Sequence, residues 1–347
     1  MKFVLVILLV IFCWVTNTYS QYKWKKDVEE FIIADVSFEQ CHAPTLVELG
    51  NGKMLAAWFA GSKEGANDVS VWLSAWDNSK WSKPKIIASG NINDSVRFPC
   101  WNPVLFKTKG GKLFLFYKVG PSPQKWWGMV MRSGDDGKSW SRSQNLPEGI
   151  LGPVKNKPLQ LDDGSILSGS STETQNSWKV HVERSADNGR TWTKIQVDTL
   201  SSFDVIQPAL IKYATGRIQM LCRSKQGVVV QAWSTDNGKT WSKLSKTGLM
   251  NPNSGIDAVT LNNGQQLIVY NPDMPGKEWF NGRARLYVAI SKDGYKWTDI
   301  AVLENGINEE FSYPAVIQTT DAKVHIIYTY KRKNIKHVVL QHPGLFK

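Results

Sequence analysis

Along this chain, short apolar runs come in pairs separated by a polar turn. "CHAPTLVELGNGKMLAAWFAG" (41–61) shows the pattern: apolar residues, a Gly-Asn-Gly turn, then apolar residues again. It recurs as "WNPVLFKTKGGKLFLFYKVG" from 101, "NKPLQLDDGSILSGSS" from 156 and "QPALIKYATGRIQMLCRSK" from 207. Two further copies are "DAVTLNNGQQLIVYN" from 257 and "YPAVIQTTDAKVHIIYTY" from 313. Short apolar runs bounded by Gly, Asn and Asp predict β-hairpins, and no stretch sustains a helical period. Proline opens five copies, at Pro44, Pro103, Pro158, Pro208 and Pro314, with Ala258 in its place in the fifth. Proline is tolerated at the first residue of a strand. A repeat of roughly 50 to 60 residues is a propeller period.

A second repeat lies between the hairpins. "SGDDGKSW" (133–140), "SADNGRTW" (185–192) and "STDNGKTW" (234–241) share S-x-D-x-G-x-x-W. "SKDGYKW" (291–297) is a shortened copy and "SAWDNSKW" (74–81) a degraded one. Asp, Asn and Gly suit a tight turn over which the Trp folds back, so these boxes read as structural. Six hairpins, each followed by a further strand pair, predict an all-β, six-bladed propeller over residues 21–347 as one domain.

The first twenty residues stand apart. Lys2 followed by the apolar run Phe3–Val15 and by Thr18-Tyr19-Ser20 predicts a signal peptide, with the mature protein starting at Gln21 and exported. The run is short for a membrane span. The formal charge is +12, from 42 basic and 30 acidic residues. Basic residues are dispersed apart from Lys331-Arg332-Lys333, which argues against nucleic acid and suits an anionic substrate. Cys41, Cys100 and Cys222 form no short C-x-x-C pair, so they read as buried free thiols, with no zinc site, no other metal and no cofactor.

If the first strand of each hairpin is innermost, the residues before each proline face the central axis. These are His42, Trp101-Asn102, Asn156-Lys157, Gln207, Asp257 and Tyr313. Arg223 ends a second strand on the same rim, Arg283 and Arg285 lie in the loop after the fifth hairpin, and Arg97 is a further rim residue. The turn 251–255 leads into Asp257 and is a possible wall. His181, His325, His337 and His342 sit on or after strands and receive no role.

The boxes and hairpins resemble the sialidase-like family of Asp-box (BNR-repeat) propellers over essentially the whole mature chain. The resemblance implies three arginines clamping a substrate carboxylate, an Asp acid/base, and a Tyr nucleophile activated by a Glu. "HAP" stands where that family has Arg-Ile-Pro, so His42 replaces the first arginine. Arg223 matches the second, Arg283 or Arg285 fits the third, Tyr313 matches the tyrosine, and Asp68 in "GANDVSVW" matches the acid/base. Gln207 replaces the glutamate; Glu309 or Glu310 is a possible substitute.

A tyrosine without its glutamate is a weak nucleophile. The altered set suits β-elimination on a uronate of an oligosaccharide such as those from ulvan. Arg223 with Arg283 or Arg285 would hold the carboxylate and stabilise the enolate charge, and His42 and Tyr313 would serve as acid and base. Propeller lyases acting on ulvan or rhamnosyl-glucuronate linkages resemble this site in residue type. The product is an unsaturated sugar, released by a lyase if a sugar leaves and by a dehydratase if a hydroxyl leaves. Two alternatives are an exo-acting glycoside hydrolase using Asp68 and Tyr313, and a non-catalytic lectin stacking sugars on Trp101, Trp126 and Trp127.

Overall fold

The computed structural model describes residues 24–34, 38–278 and 280–342; the predicted signal peptide lies outside them. Among the described residues the strands form six four-stranded antiparallel sheets. The first blade is β2 (Gln40–Gly50), β3 (Lys53–Gly61), β4 (Ser70–Trp76) and β5 (Lys85–Ala88). The second is β6 (Cys100–Lys107), β7 (Leu113–Val119), β8 (Trp127–Ser133) and β9 (Gln144–Asn145). The third comprises β10 (Leu159–Gln160), β11 (Ile166–Glu173), β12 (Trp178–Ser185) and β13 (Thr193–Gln196). The fourth comprises β14 (Val205–Lys212), β15 (Ile218–Ser224), β16 (Val228–Ser234) and β17 (Ser245–Met250). The fifth comprises β18 (Asp257–Thr260), β19 (Gln266–Tyr270), β20 (Arg285–Ser291) and β21 (Thr298–Asn305). The sixth is β22 (Phe311–Gln318), β23 (Val324–Tyr330), β24 (Asn334–Gln341) and, outermost, β1 (Lys25–Phe31).

The last blade corrects one expectation. Only β24 follows its hairpin, and the chain's first strand supplies the fourth position, pairing Lys25 with Gln341 through Phe31 with Lys336. This pairing closes the ring and leaves no open blade edge between the two ends of the chain.

Each blade's first strand is innermost, and β2 packs against β6 on one side and β22 on the other. Inner strands read as apolar runs because both faces meet neighbouring blades; β7, "LFLFYKV", is buried throughout. The three cysteines are buried and free.

The Asp boxes fill the gaps between blades. In the second, Ser133 Oγ accepts from Gly137 N at 2.9 Å, Asp135 caps Ser139 N at 2.9 Å, and Trp140 Nε1 donates to Gly137 O at 3.1 Å. The box glycine lies in the left-handed region and presses on the preceding blade. At Gly238 (φ 77°), an added Cβ would stand 2.5 Å from Leu167 Cδ1. Glycine is needed there both for conformation and for space.

Candidate functional site

Four inner strands break their ladder where a residue precedes proline. Ala43, Asn102, Gln207 and Tyr313 have φ of 51°, 37°, 56° and 53°. The register shifts between His42 and Thr45, Trp101 and Val104, Ile206 and Ala209, and Ser312 and Ala315. Proline removes a ladder donor and restricts the residue before it, so the strand bulges and re-aims that side chain. A non-glycine residue held in this region stores about 1–3 kcal/mol, a strain common at functional sites. The bulges leave Asn102, Gln207 and Tyr313 on the wall of one open cavity of about 550 Å³.

Tyr313 is at its centre. Its Oη accepts from Arg223 Nη1 at 2.6 Å and from Gln207 Nε2 at 3.4 Å. Arg223 Nη1 also reaches Gln207 Oε1 at 3.3 Å, and its Nε donates to Asn253 Oδ1 at 2.9 Å. Neither partner of the phenol oxygen is a carboxylate. Asn253 O accepts from Arg283 Nη2 at 3.2 Å, so one residue of the 251–255 turn braces two arginines.

A third arginine joins them from an unexpected blade. Arg332, in the turn between β23 and β24, lines the same cavity. Its carbonyl accepts from Cys41 N at 2.8 Å, which seats the turn against the start of β2. Glu310 bridges Arg283 Nη1 at 3.2 Å and Arg332 Nε at 2.8 Å, and Glu64 accepts from Arg332 Nη1 at 2.6 Å. Burial opposes the charge on Arg332, but Glu64 and Glu310 outweigh it and raise its pKa. Burial also opposes ionisation of Glu310, yet Arg332 and Arg283 hold its carboxyl below the usual range. Arg283 is shifted down by burial and then by Arg223. Three guanidiniums facing two carboxylates leave an excess positive charge, suited to an anion.

The cavity has one carboxyl of a different kind. Glu173, at the end of β11, lines it, and burial pushes its pKa up against the pull of Arg223 and Lys225. Burial favours the neutral form of this carboxyl, the direction a proton donor needs. Trp101, Trp126 and Trp178 supply aromatic surface on the wall.

His42 does not line this cavity. It is buried at 2% exposure, its Nδ1 is 2.9 Å from Thr329 Oγ1, and its ring lies 4.0 Å from that of Tyr313. Burial, then Arg332, Arg283, Arg223 and Lys155, hold its pKa well below the usual value, so it is a neutral imidazole supporting the tyrosine. Asp68 also stands off the wall: its exposed carboxylate caps Ser62 N at 2.7 Å and Ser62 Oγ at 2.9 Å. Arg97 donates to Asp68 O at 2.7 Å and Ser70 Oγ at 2.8 Å, which ties it into the loop. Arg285 pairs with Asp273 outside the cavity. Asp257 is buried beneath, taking Lys157 Nζ at 2.8 Å and Val316 N at 2.9 Å, so it joins blades. Glu309 accepts from Ile307 N and Asn308 N. Lys155, unnoticed in sequence, bonds Ile256 O at 2.8 Å and Pro314 O and so links three blades; burial lowers its pKa to about 7.

A family model described as a BNR repeat-like domain matches residues 52–326. The chain belongs to this family. Its architecture is that of the sialidase-like propellers. A protein of unknown function from Dyadobacter fermentans superposes at a TM-score of 0.76 with 17% identity, over 92% of this chain and 99% of that one. A Trypanosoma rangeli sialidase superposes at 0.71 with 18% identity, over 88% of this chain and 55% of that one. The NanB sialidase of Streptococcus pneumoniae gives 0.66 and 13%, over 87% and 68%. These likenesses carry the fold. No curated protein matches the sequence.

Proposed function

We propose that this propeller, exported to the cell exterior or periplasm, binds the carboxylate of a uronate at Arg223, Arg283 and Arg332 and eliminates the oxygen substituent at C4. The observation that carries the reading is the set of three guanidiniums around a tyrosine that has no carboxylate partner. Bound guanidiniums neutralise the carboxylate and stabilise the enolate charge that forms when C5 is deprotonated. Tyr313 is the base, its oxygen held in place at the cavity wall by Arg223 Nη1 at 2.6 Å. The C5–H electron pair forms the C4–C5 double bond, the C4–O bond breaks, and Glu173 protonates the departing oxygen.

A hydrolase with Tyr313 as nucleophile fits less well. Its activating glutamate is Gln207 here, and Asp68 is engaged by Ser62 away from the cavity. Incubation with uronate oligosaccharides, followed by ultraviolet absorbance and mass spectrometry, tests the reading. A conjugated, unsaturated uronate is the expected product. Release of a saturated acidic sugar contradicts elimination, and binding without turnover leaves a lectin.

A further inference from the structure

The 251–255 turn joins β17 to β18 and so connects the fourth blade to the fifth. Arg223 stands on the fourth blade, Arg283 in the loop before β20 of the fifth, and Tyr313 on the sixth. Side chains on three separate sheets need something that spans the sheets to fix their spacing. The turn touches all three. Asn253 Oδ1 accepts from Arg223 Nε at 2.9 Å, and Asn253 O accepts from Arg283 Nη2 at 3.2 Å. A Cβ on Gly255 would stand 3.1 Å from Cγ and Cδ2 of Tyr313, so the turn also lies against the phenol ring.

The turn is itself held on both sides. Asn251 N donates to Gly227 O at 3.0 Å, on the fourth blade, and Asn251 Oδ1 accepts from Ser254 N at 2.9 Å. Asn251 and Ser254 are fully buried. From the fifth blade, Gly282 closes on the turn: a Cβ there would come within 2.6 Å of Pro252 Cβ. Asn253 has a left-handed φ of 58°, which asparagine tolerates better than most residues and glycine better still. The backbone at 253 therefore has no need of an asparagine side chain. What the side chain supplies is an acceptor for Arg223, and only its oxygen can serve, because a guanidinium has no acceptor to offer its nitrogen.

This acceptor is uncharged. Arg283 and Arg332 share Glu310, and Arg332 also bonds Glu64. Among the described residues, the hydrogen-bond partners of Arg223 are Tyr313, Gln207 and Asn253, all neutral. Arg223 is thus held in place while its charge stays available to an anion. A carboxylate at 253 would make a stronger bond and compensate that charge.

We infer that Asn253 is the positioning residue of the clamp: it orients Arg223 beside Arg283 across the blade boundary and, being neutral, leaves Arg223 to the substrate carboxylate. The inference rests on the arginine reading and adds the residue that sets the clamp's geometry and its preference for an anion.

The test is titration calorimetry of methyl glucuronide and methyl glucoside against the wild type, Asn253→Gly and Asn253→Asp, with melting curves. Asn253→Gly keeps the left-handed backbone and the bond to Arg283 and loses the bond to Arg223. Its affinity for the glucuronide is expected to fall about tenfold. Asn253→Asp keeps both bonds and is expected to bind the glucuronide at least about tenfold more weakly than Asn253→Gly. Affinity for the glucoside should stay within about twofold in both. A merely structural side chain predicts the opposite order, with Asp the better substitute. A crystal structure of the Asn253→Gly protein should show Arg223 moved from its place beside Arg283. Wild-type glucuronide affinity in Asn253→Gly, an Asn253→Asp protein that binds at least as well as Asn253→Gly, or an unmoved Arg223 overturns the inference and leaves the arginine reading intact. A wild type that does not prefer the glucuronide overturns the arginine reading and this inference with it.

Discussion

Replacing Arg223 with Met separates binding chemistry from folding. The side chain keeps its approximate length and loses its charge and its bonds to Tyr313, Gln207 and Asn253. A hydrogen bond from a charged group to a ligand carboxylate is worth about 1.5–3 kcal/mol, so affinity for methyl glucuronide should fall about 10- to 150-fold. Stability should change little. Each lost internal bond contributes about 0.5–1.5 kcal/mol, and water entering the open cavity replaces part of it. Removing Arg223 also relieves the repulsion that lowers Arg283. A net loss within about 2 kcal/mol corresponds to a Tm fall of at most about 8 °C in a domain of this size. Titration calorimetry of methyl glucuronide and methyl glucoside against wild type and variant, with melting curves, measures all three quantities. The wild type should prefer the glucuronide and the variant should lose that preference. An unchanged glucuronide affinity in Arg223→Met would refute the clamp.

Glu173→Gln should lower kcat by about 10²–10⁴ as the proton donor is lost. Because the pKa of Glu173 is raised, wild-type activity should hold as pH rises past the usual carboxylate range and fall only through the raised value; a pH profile of the variant should lack that falling limb. Stability should drop on acidification, since His42 is held well below the usual value and His325 is lowered to about 3 by burial and by His337. The unfolded chain takes up those protons near pH ~6.5 and the folded one does not, so stability is complete above that pH and lost below it. Together the two remove on the order of 3 kcal/mol by pH ~5.5, and His325→Gln should halve the loss in melting curves. Gly238→Ala should destabilise by about 2–4 kcal/mol, from left-handed strain together with overpacking against Leu167, and chemical denaturation would show it.

The fold was legible because blades repeat and both of their signals are local: apolar pairing about a turn, and the box glycine that only one conformation admits. Ring closure by β1 was not. Its sequence, "KKDVEEF", alternates exposed and half-buried positions, because the outermost strand buries little and so carries a weak pattern. Gln207, Arg223 and Tyr313 were legible from their place before a proline or at the end of a second strand. Arg332 was visible only as part of a basic run. A turn between the second and third strands of a blade opens on the same rim, and that rule would have found it. Glu173 ends a second strand, as Arg223 does, and the same reading would have placed it. His42 misleads because position along a strand does not fix depth: Thr329 and the Tyr313 ring cover it. Asp68 and Arg97 satisfy each other's loop, a local pairing that spacing alone does not reveal.

The most direct measurement is a crystal structure of the Tyr313→Phe protein with methyl glucuronide bound. The account predicts the carboxylate within hydrogen-bond reach of Arg223, Arg283 and Arg332. It also predicts C5–H facing the ring at 313 and the C4 oxygen beside Glu173. A carboxylate turned to solvent, or an anomeric carbon facing residue 313, would contradict it.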